Sequence, residues 1–353
     1  MAIEMLANLL KGIDATEIHA FVRAIKSPAD YELTNTVMPV RTLNSVKWRT
    51  KQTKRRIAAA KYRTWDSTTP IGSRELTKTV TEGMLPPLGQ KFIIGELEQI
   101  LLDTSRGMDD GDIIERLYDD IAAHVTSIRS RLELAVGDLL TDGKFTLAGE
   151  NGMYTEYDAQ VPAANMPTAA VPWTDPTADM IGDERKWIEY LRSIGAPLPA
   201  RVLTSYKARA LMQDNQSYRA AYYGAAPGAT LPTAVLAQTE VDVVRARYGL
   251  PPITIYDVPI PLDNGTDVRA LPENLYILLP PNPTQWAETQ YGVTAEALVL
   301  SNGSNPSIIR EEAPGIIVTH GYSDDPPQVW TKGSAAAMPV MYVPDIHITA
   351  KVW

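Results

Sequence analysis

The most regular pattern of apolar and polar positions lies between residues 112 and 141. Ile114, Leu117, Ile121, Val125, Ile128, Leu132, Val136 and Leu139 are spaced 3, 4, 4, 3, 4, 4 and 3 apart, the period of one apolar stripe along an α-helix. Asp112 with Glu115 predicts a capped start, and Asp142-Gly143 a glycine stop. At ~1.5 Å per residue the helix would run about 45 Å, long enough to be the spine of a flat, extended domain. Its far face carries Glu115, Asp119 and Asp120 near the start and Arg129, Arg131 and Glu133 further on. The acidic first turns suit the helix dipole and would also receive a basic segment laid across them. His124 falls on or beside the apolar stripe and is expected to be packed.

Before this helix the pattern is looser. Leu6, Leu9, Leu10 and Ile13, then Ile18, Phe21, Val22 and Ile25, predict two short amphipathic helices ending before Pro28. They read either as an arm packed on its own domain or as one that grips a neighbour. From Val46 to Lys51, Val46, Trp48 and Thr50 alternate with Lys47, Arg49 and Lys51, the period of a strand. We expect a β-hairpin with Thr53 to Arg56 at its tip and Ala58 to Trp65 returning. Its apolar side chains are few, so it must lie on another surface. A helix is expected over Gln90 to Asp103.

After the long helix, Lys144 to Leu147 and Tyr154 to Asp158 read as strands around Asn151-Gly152. Residues 161–179, rich in Pro and Ala, mark a linker. A second, α+β region follows. It has helices at Asp175 to Ile194, Tyr206 to Met212 and Thr233 to Arg247. Strands are expected at Arg201 to Thr204, Ile253 to Tyr256 and Leu275 to Leu279, with a hairpin turn at 263–265. Residues 213–232 read as an exposed loop. Strands from Gly315 to the end are expected to return beside the long helix, with His347 alternating between Ile346 and Ile348.

Charge changes the picture at one place. The 353 residues carry 33 Lys and Arg against 42 Asp and Glu, a net −9. Between Arg41 and Trp65 there are nine basic residues and no acidic one: Arg41, Lys47, Arg49, Lys51, Lys54, Arg55, Arg56, Lys61 and Arg63. The remainder therefore carries −18 (−9 minus +9). Such a patch binds either phosphates or an acidic protein surface, most simply another copy of this chain. Trp48, Tyr62 and Trp65 interleave with it, as stacking platforms for single-stranded nucleic acid or as cross-strand packing.

Composition excludes several classes. There is no cysteine, hence no disulfide, thiolate metal site or Cys nucleophile, in keeping with a reducing cytoplasm. No apolar run approaches the ~20 residues of a membrane span, and the opening MAIEMLANLLKGIDATE reads poorly as a signal peptide. No phosphate-loop, dinucleotide, zinc-protease or nucleophile-elbow motif occurs. The four histidines, His19, His124, His320 and His347, share no ligand spacing. The acidic stretch 107–112 lacks the calcium-loop pattern, and Asp324-Asp325-Pro326-Pro327 reads as a turn. No cofactor, metal site or enzymatic activity is expected.

The order of parts resembles the tailed-phage major capsid proteins of the lambda E type, which have the HK97 capsid fold. The resemblance rests on the hairpin at 41–74, LPPLGQKFIIGELEQI at 85–100, LLTDGKFTLAGENG at 139–152, WTDPTADMI at 173–181 and the closing SAAAMPVMYVPDIHITAKVW. It implies an α+β fold in five segments. These are an N-terminal arm (1–38), an extended E-loop β-hairpin (39–80), a P-domain with the spine helix (81–172), a mixed A-domain (173–311) and C-terminal strands returning to the P-domain (312–353). It implies hexamers and pentamers closing an icosahedral shell around packaged DNA, without sequence-specific contacts, in a virion assembled in the host cytoplasm. The E-loop would reach over a neighbouring subunit. The Tyr222-Tyr223-Gly224 stretch or the turn at Asn264 would lie near the capsomer centre. A decoration protein, a scaffold and a portal are further partners that the resemblance suggests. The competing readings are an encapsulin-like compartment of the same fold, a nucleic-acid-binding protein using residues 41–65, and a hydrolase with no motif in its favour.

Overall fold

The computed structural model describes residues 15–57, 74–95, 110–150, 152–225, 232–302, 315–324 and 327–353. The described chain enters as helix α1 (Ala15–Ala24) and then a π-helical turn, Leu33–Val37. Ile18 and Val22 of α1 are buried in one cluster with Ile121 and Val125 of the long helix, so this part of the arm packs on its own chain. The more N-terminal predicted helix lies outside the described residues. Strand β1 (Val40–Thr42) follows, then a two-stranded ribbon of β2 (Lys47–Ile57) and β3 (Arg74–Met84), paired over eleven residues from Lys47↔Met84 to Ile57↔Arg74.

The ribbon corrects the expected hairpin. The strand returning from β2 is Arg74–Met84, not Ala58 to Trp65, which lies outside the described residues. Lys54, Arg55 and Arg56 therefore sit within the outgoing strand rather than at a tip. A second correction follows directly. Gln90 to Ile94, expected to begin a helix, belongs to strand β4 (Pro87–Ile94), because the strand Pro327–Met341 pairs with it from Pro87↔Ala336 to Ile94↔Val329. Long-range pairing overrides local helical spacing here.

The expected spine is helix α2, Asp110–Asp142, starting two residues earlier than predicted. Its apolar stripe is buried at Ile121, Val125, Ile128, Leu132, Val136 and Leu139. The helix then turns into β5 (Lys144–Glu150) and β6 (Met153–Asp158), an antiparallel hairpin with a register shift between Ala148 and Glu150. Residues 161–173 are not a loose linker. Ala169 N donates to Lys351 O, Trp173 N to Val352 O, and Asn165 Nδ2 to His347 O. This pins the stretch along the last strand.

The second region contains α3 (Met180–Ser193), β7 (Arg201–Thr204), α4 (Tyr206–Asp214) and α5 (Gln216–Tyr223). It continues through α6 (Gln238–Arg247), β8 (Ile253–Ile255), β9 (Pro259–Pro261), β10 (Asp267–Arg269) and β11 (Leu275–Leu279). Within the expected exposed loop, of which residues 226–231 lie outside the described residues, Gln216–Tyr223 form helix α5. The Asn215 side chain caps it and Tyr218 is fully buried within it. Inside this region Arg245 forms a buried fork with Glu184, two bonds of 2.8 Å, and donates to Tyr218 Oη at 2.9 Å.

The chain then crosses back through α7 (Pro283–Trp286), β12 (Ala287–Tyr291) and α8 (Ala295–Asn302) to β13 (Ile317–Asp324), β14 (Pro327–Met341) and β15 (Ile348–Lys351). Beside the two-stranded ribbons β2-β3, β5-β6 and β9-β10, one sheet has the order β1-β12-β14-β13 with β4 also on β14, and a second has the order β15-β11-β7-β8. Strands β13 and β14 return beside α2 as expected. His124 Nε2 meets Thr331 Oγ1 of β14 at 2.9 Å, and its ring stacks on Phe92 of β4. Strand β15 pairs with β11 in the second sheet and also touches α2, and His347 immediately precedes it. Strand β12, within the stretch assigned to the second region, joins the first sheet instead. Strand β11 is buried on both faces, with Leu275, Ile277 and Leu279 in one core and Tyr276 and Leu278 in the other. A continuous apolar run is what such a strand needs.

Candidate assembly surface

The β2–β3 ribbon is rooted at its base. Trp48 is 4% exposed and meets Tyr157 of β6 edge to face, with ring centroids 5.0 Å apart. A Cβ at Gly83 would come within 2.9 Å of the Trp48 ring, so glycine is required opposite it. Thr50, the next residue on that face, is also buried, while Lys47, Arg49, Val80, Glu82 and Met84 are exposed on the other. Arg49 lies 3.8 Å from Glu82 across the ribbon.

Strand alternation sorts the remaining charges. The register puts Lys51, Arg55, Arg74 and Lys78 at positions on the face of Lys47 and Arg49, and Lys54, Arg56 and Glu75 on the opposite one. Among the described side chains the first face carries Lys47 and Arg49 against Glu82. The expected eight-residue cluster is thus divided. Lys61 and Arg63 lie outside the described residues. Arg41 is held internally at β1, 3.2 Å from Glu288, which raises its pKa through that hydrogen bond.

The expected acidic acceptor on the spine is only partly placed. Asp119 is exposed and Asp120 half-buried; the side chain of Glu115 is outside the described set. Glu133 was expected on the same solvent face and is instead fully buried. Its Oε1 accepts from Leu33 N and Tyr256 Oη, both at 2.8 Å. Its Oε2 accepts from Thr34 N at 2.9 Å and Thr34 Oγ1 at 2.7 Å. Burial pushes this carboxyl above the usual range despite four donors. The helical wheel shows which face is polar but not what covers it. Here the arm does, tied along α2 by Phe21 on Tyr118, Ile25 O on Arg129 and Tyr31 on Ser130.

A second acidic surface escaped sequence reading. The outer face of β5–β6 exposes Thr146, Tyr154, Glu156 and Asp158, and Tyr154 is 72% exposed. Lys144 Nζ bridges Glu156 at 3.3 Å and Asp158 at 3.4 Å. Asp142 and Asp138 accept from the Lys144 and Thr146 amides along the β5 edge.

Tyr222 and Tyr223 end α5, edge to face at 5.1 Å, and a hydrogen bond to Glu240 raises the Tyr222 pKa. Asn264 sits on a separate hairpin, the exposed β9–β10 turn, where its Oδ1 accepts from the Thr266 amide and hydroxyl. His124 and His347 are packing residues. Burial lowers the His124 pKa, and burial holds His347 down at about 4, where Trp286 Nε1 donates to its Nδ1 at 3.2 Å. Among the described residues no group of three or more His, Asp or Glu is arranged to hold a metal ion, and no helix is long and apolar enough to cross a membrane.

Residues 14–352 match the family model of phage major capsid protein E. The chain belongs to that family. It is a shell-forming phage protein, and the virion is its location. Among solved structures, this capsid protein is similar to a prophage capsid protein of E. coli CFT073, with a TM-score of 0.63 at 14% identity over 97% of this chain and 99% of that one. It is also similar to a phage-related protein of Bordetella bronchiseptica RB50 (0.50, 12% identity, 96% of each chain) and to the mature capsid of bacteriophage PhiM1 (0.50, 13% identity, 89% and 85%). The fold is the HK97-like one that the sequence resembles. No curated protein sequence matches this chain.

Proposed function

We propose that this capsid protein builds hexamers and pentamers of a closed icosahedral shell around phage DNA, and that β2–β3 is the arm by which one subunit holds the next. The observation that carries this reading is the ribbon itself. It pairs over eleven residues per strand, and among the described residues no third strand joins it; a two-stranded hairpin is marginal without a surface to lie on. In this reading the arm, ribbon (39 to 84), spine-helix region and α+β region act as distinct contact segments. Tyr222, Tyr223 and Asn264 lie toward the capsomer centre. Assembly takes place in the host cytoplasm, with a scaffold, portal and decoration protein as further partners. DNA is enclosed without sequence-specific contacts, and the protein's role is structural rather than enzymatic. Negative-stain electron microscopy of the purified chain tests it. Uniform closed shells or capsomer rings are expected. A protein that stays dispersed under all assembly conditions, yet binds DNA with a steep salt dependence, would overturn the reading in favour of nucleic-acid binding.

A further inference from the structure

The two hairpins that meet at their roots carry opposite charge on the sides they turn outward. Trp48 of the ribbon and Tyr157 of β6 are both buried against each other, so each lies on the inner face of its hairpin. Lys47 and Arg49 occupy the outer face of one hairpin, Glu156 and Asp158 the outer face of the other. The shared aromatic contact therefore keeps the basic face of a chain from closing on its own acidic face. Lys47 and Arg49 are matched in kind by four carboxylates, Asp138, Asp142, Glu156 and Asp158, offset in part by Lys144 and by Arg131 acting on Asp138. Apolar positions match as well. Met84 is 66% and Val80 37% exposed on the basic face, and Tyr154 stands out from the acidic one.

We infer that the outer face of β5–β6, extended by Asp138 and Asp142 along its edge, seats the basic face of β2–β3 from a second copy of the chain. This rests on the reading of the ribbon as an intersubunit arm and names its acceptor. Two different patches meet in such a contact, so it is heterologous, and repetition closes rings when the rotation allows. Complementary charge fixes orientation more than it adds affinity, while Tyr154 against Met84 and Val80 supplies the apolar part.

The test is charge reversal on each side, read as shells in sedimentation and electron microscopy at about 0.1 M salt, where screening acts over ~10 Å. K47E/R49E/K51E alone and E156K/D158K alone should each lose closed shells while keeping the wild-type melting transition. The five-residue combination should recover them. Mixing the two reversed proteins guards against a folding defect in either. Each supplies the face the other lacks, and strict alternation fits even-membered rings, so the mixture should give sheets or tubes. Normal shells from either reversal alone would overturn the inference. So would a wild type that forms shells beside a combined variant that forms none and a mixture that gives neither sheets nor tubes, an outcome that leaves the assembly reading standing. A wild type that forms no shell would instead sink that reading, and this inference with it.

Discussion

Replacing Glu133 with glutamine changes one atom at the point where the arm, the spine helix and the second sheet meet. The carboxylate accepts four hydrogen bonds with no exposed surface. The amide oxygen of Glu133→Gln can keep two of them, and its NH2 then faces two donors. Hydrogen bonds to a charged acceptor contribute roughly 1.5–3 kcal/mol each, so losing two costs about 3–6 kcal/mol. Removing a buried charge that burial already disfavours returns part of this. The net expectation is a loss of about 2–4 kcal/mol, felt first where Leu33 and Thr34 donate. Hydrogen exchange on the full chain is the assay. Amides over 31–37 should exchange about 30- to 700-fold faster at ~1.4 kcal/mol per tenfold. The amides of β7 and β11 should change less, since their pairing involves neither oxygen. Unchanged protection of the Leu33 and Thr34 amides would refute the view that this carboxylate clasps the arm.

Two further outcomes follow from packing. Gly137→Ala would improve an isolated helix by about 1 kcal/mol, but a Cβ there would fall 1.9 Å from Ala270 O. A net destabilisation of roughly 2 kcal/mol or more is expected in urea unfolding, and a stabilised variant would contradict the close approach. His347, held down at about 4 by burial, takes up its proton more readily unfolded than folded. Its contribution is present above an unfolded pKa of ~6.5 and is lost as pH falls toward 4, about 2 kcal/mol by pH 5. Burial also lowers the His124 pKa, so His124 adds to the loss in the same direction. His347→Asn, whose Oδ1 can take the Trp286 proton, should reduce the loss of stability between pH 7 and 5. An unchanged pH slope would count against it.

The long helix was legible because its stripe is a local, one-dimensional signal that eight apolar residues repeat. Strands β7 and β11 were legible for the same reason, as short apolar runs between clear breaks. Strand β4 was misread because Gln90 to Ile94 leads into residues of helical spacing, and only β14, far along the chain, makes it a strand. The ribbon was recognised by composition, but its returning strand was misplaced. Arg74–Met84 alternates threonine with mixed residues and has no apolar face to announce it. Glu133 falls on the solvent side of the helical pattern, which carries no information about the segment that crosses it. The acidic face of β5–β6 was invisible for a related reason. Asp138 and Asp142 belong to the helix in sequence and to the β5 edge in space.

The pairing of β4 with β14 also has a consequence in time. Their partners are separated by roughly 240 residues, which at ~5–20 residues per second is about 10–50 s of synthesis. Through that interval the nascent chain holds β4 with an open edge, and β1 waits at least as long for β12. Sheets of such high contact order form slowly and expose aggregation-prone edges while they do. A shell needs many copies at once, so the yield of assembly-competent subunits should depend on translation rate, temperature and chaperone capacity. The contacts between finished subunits are then only part of what limits the shell.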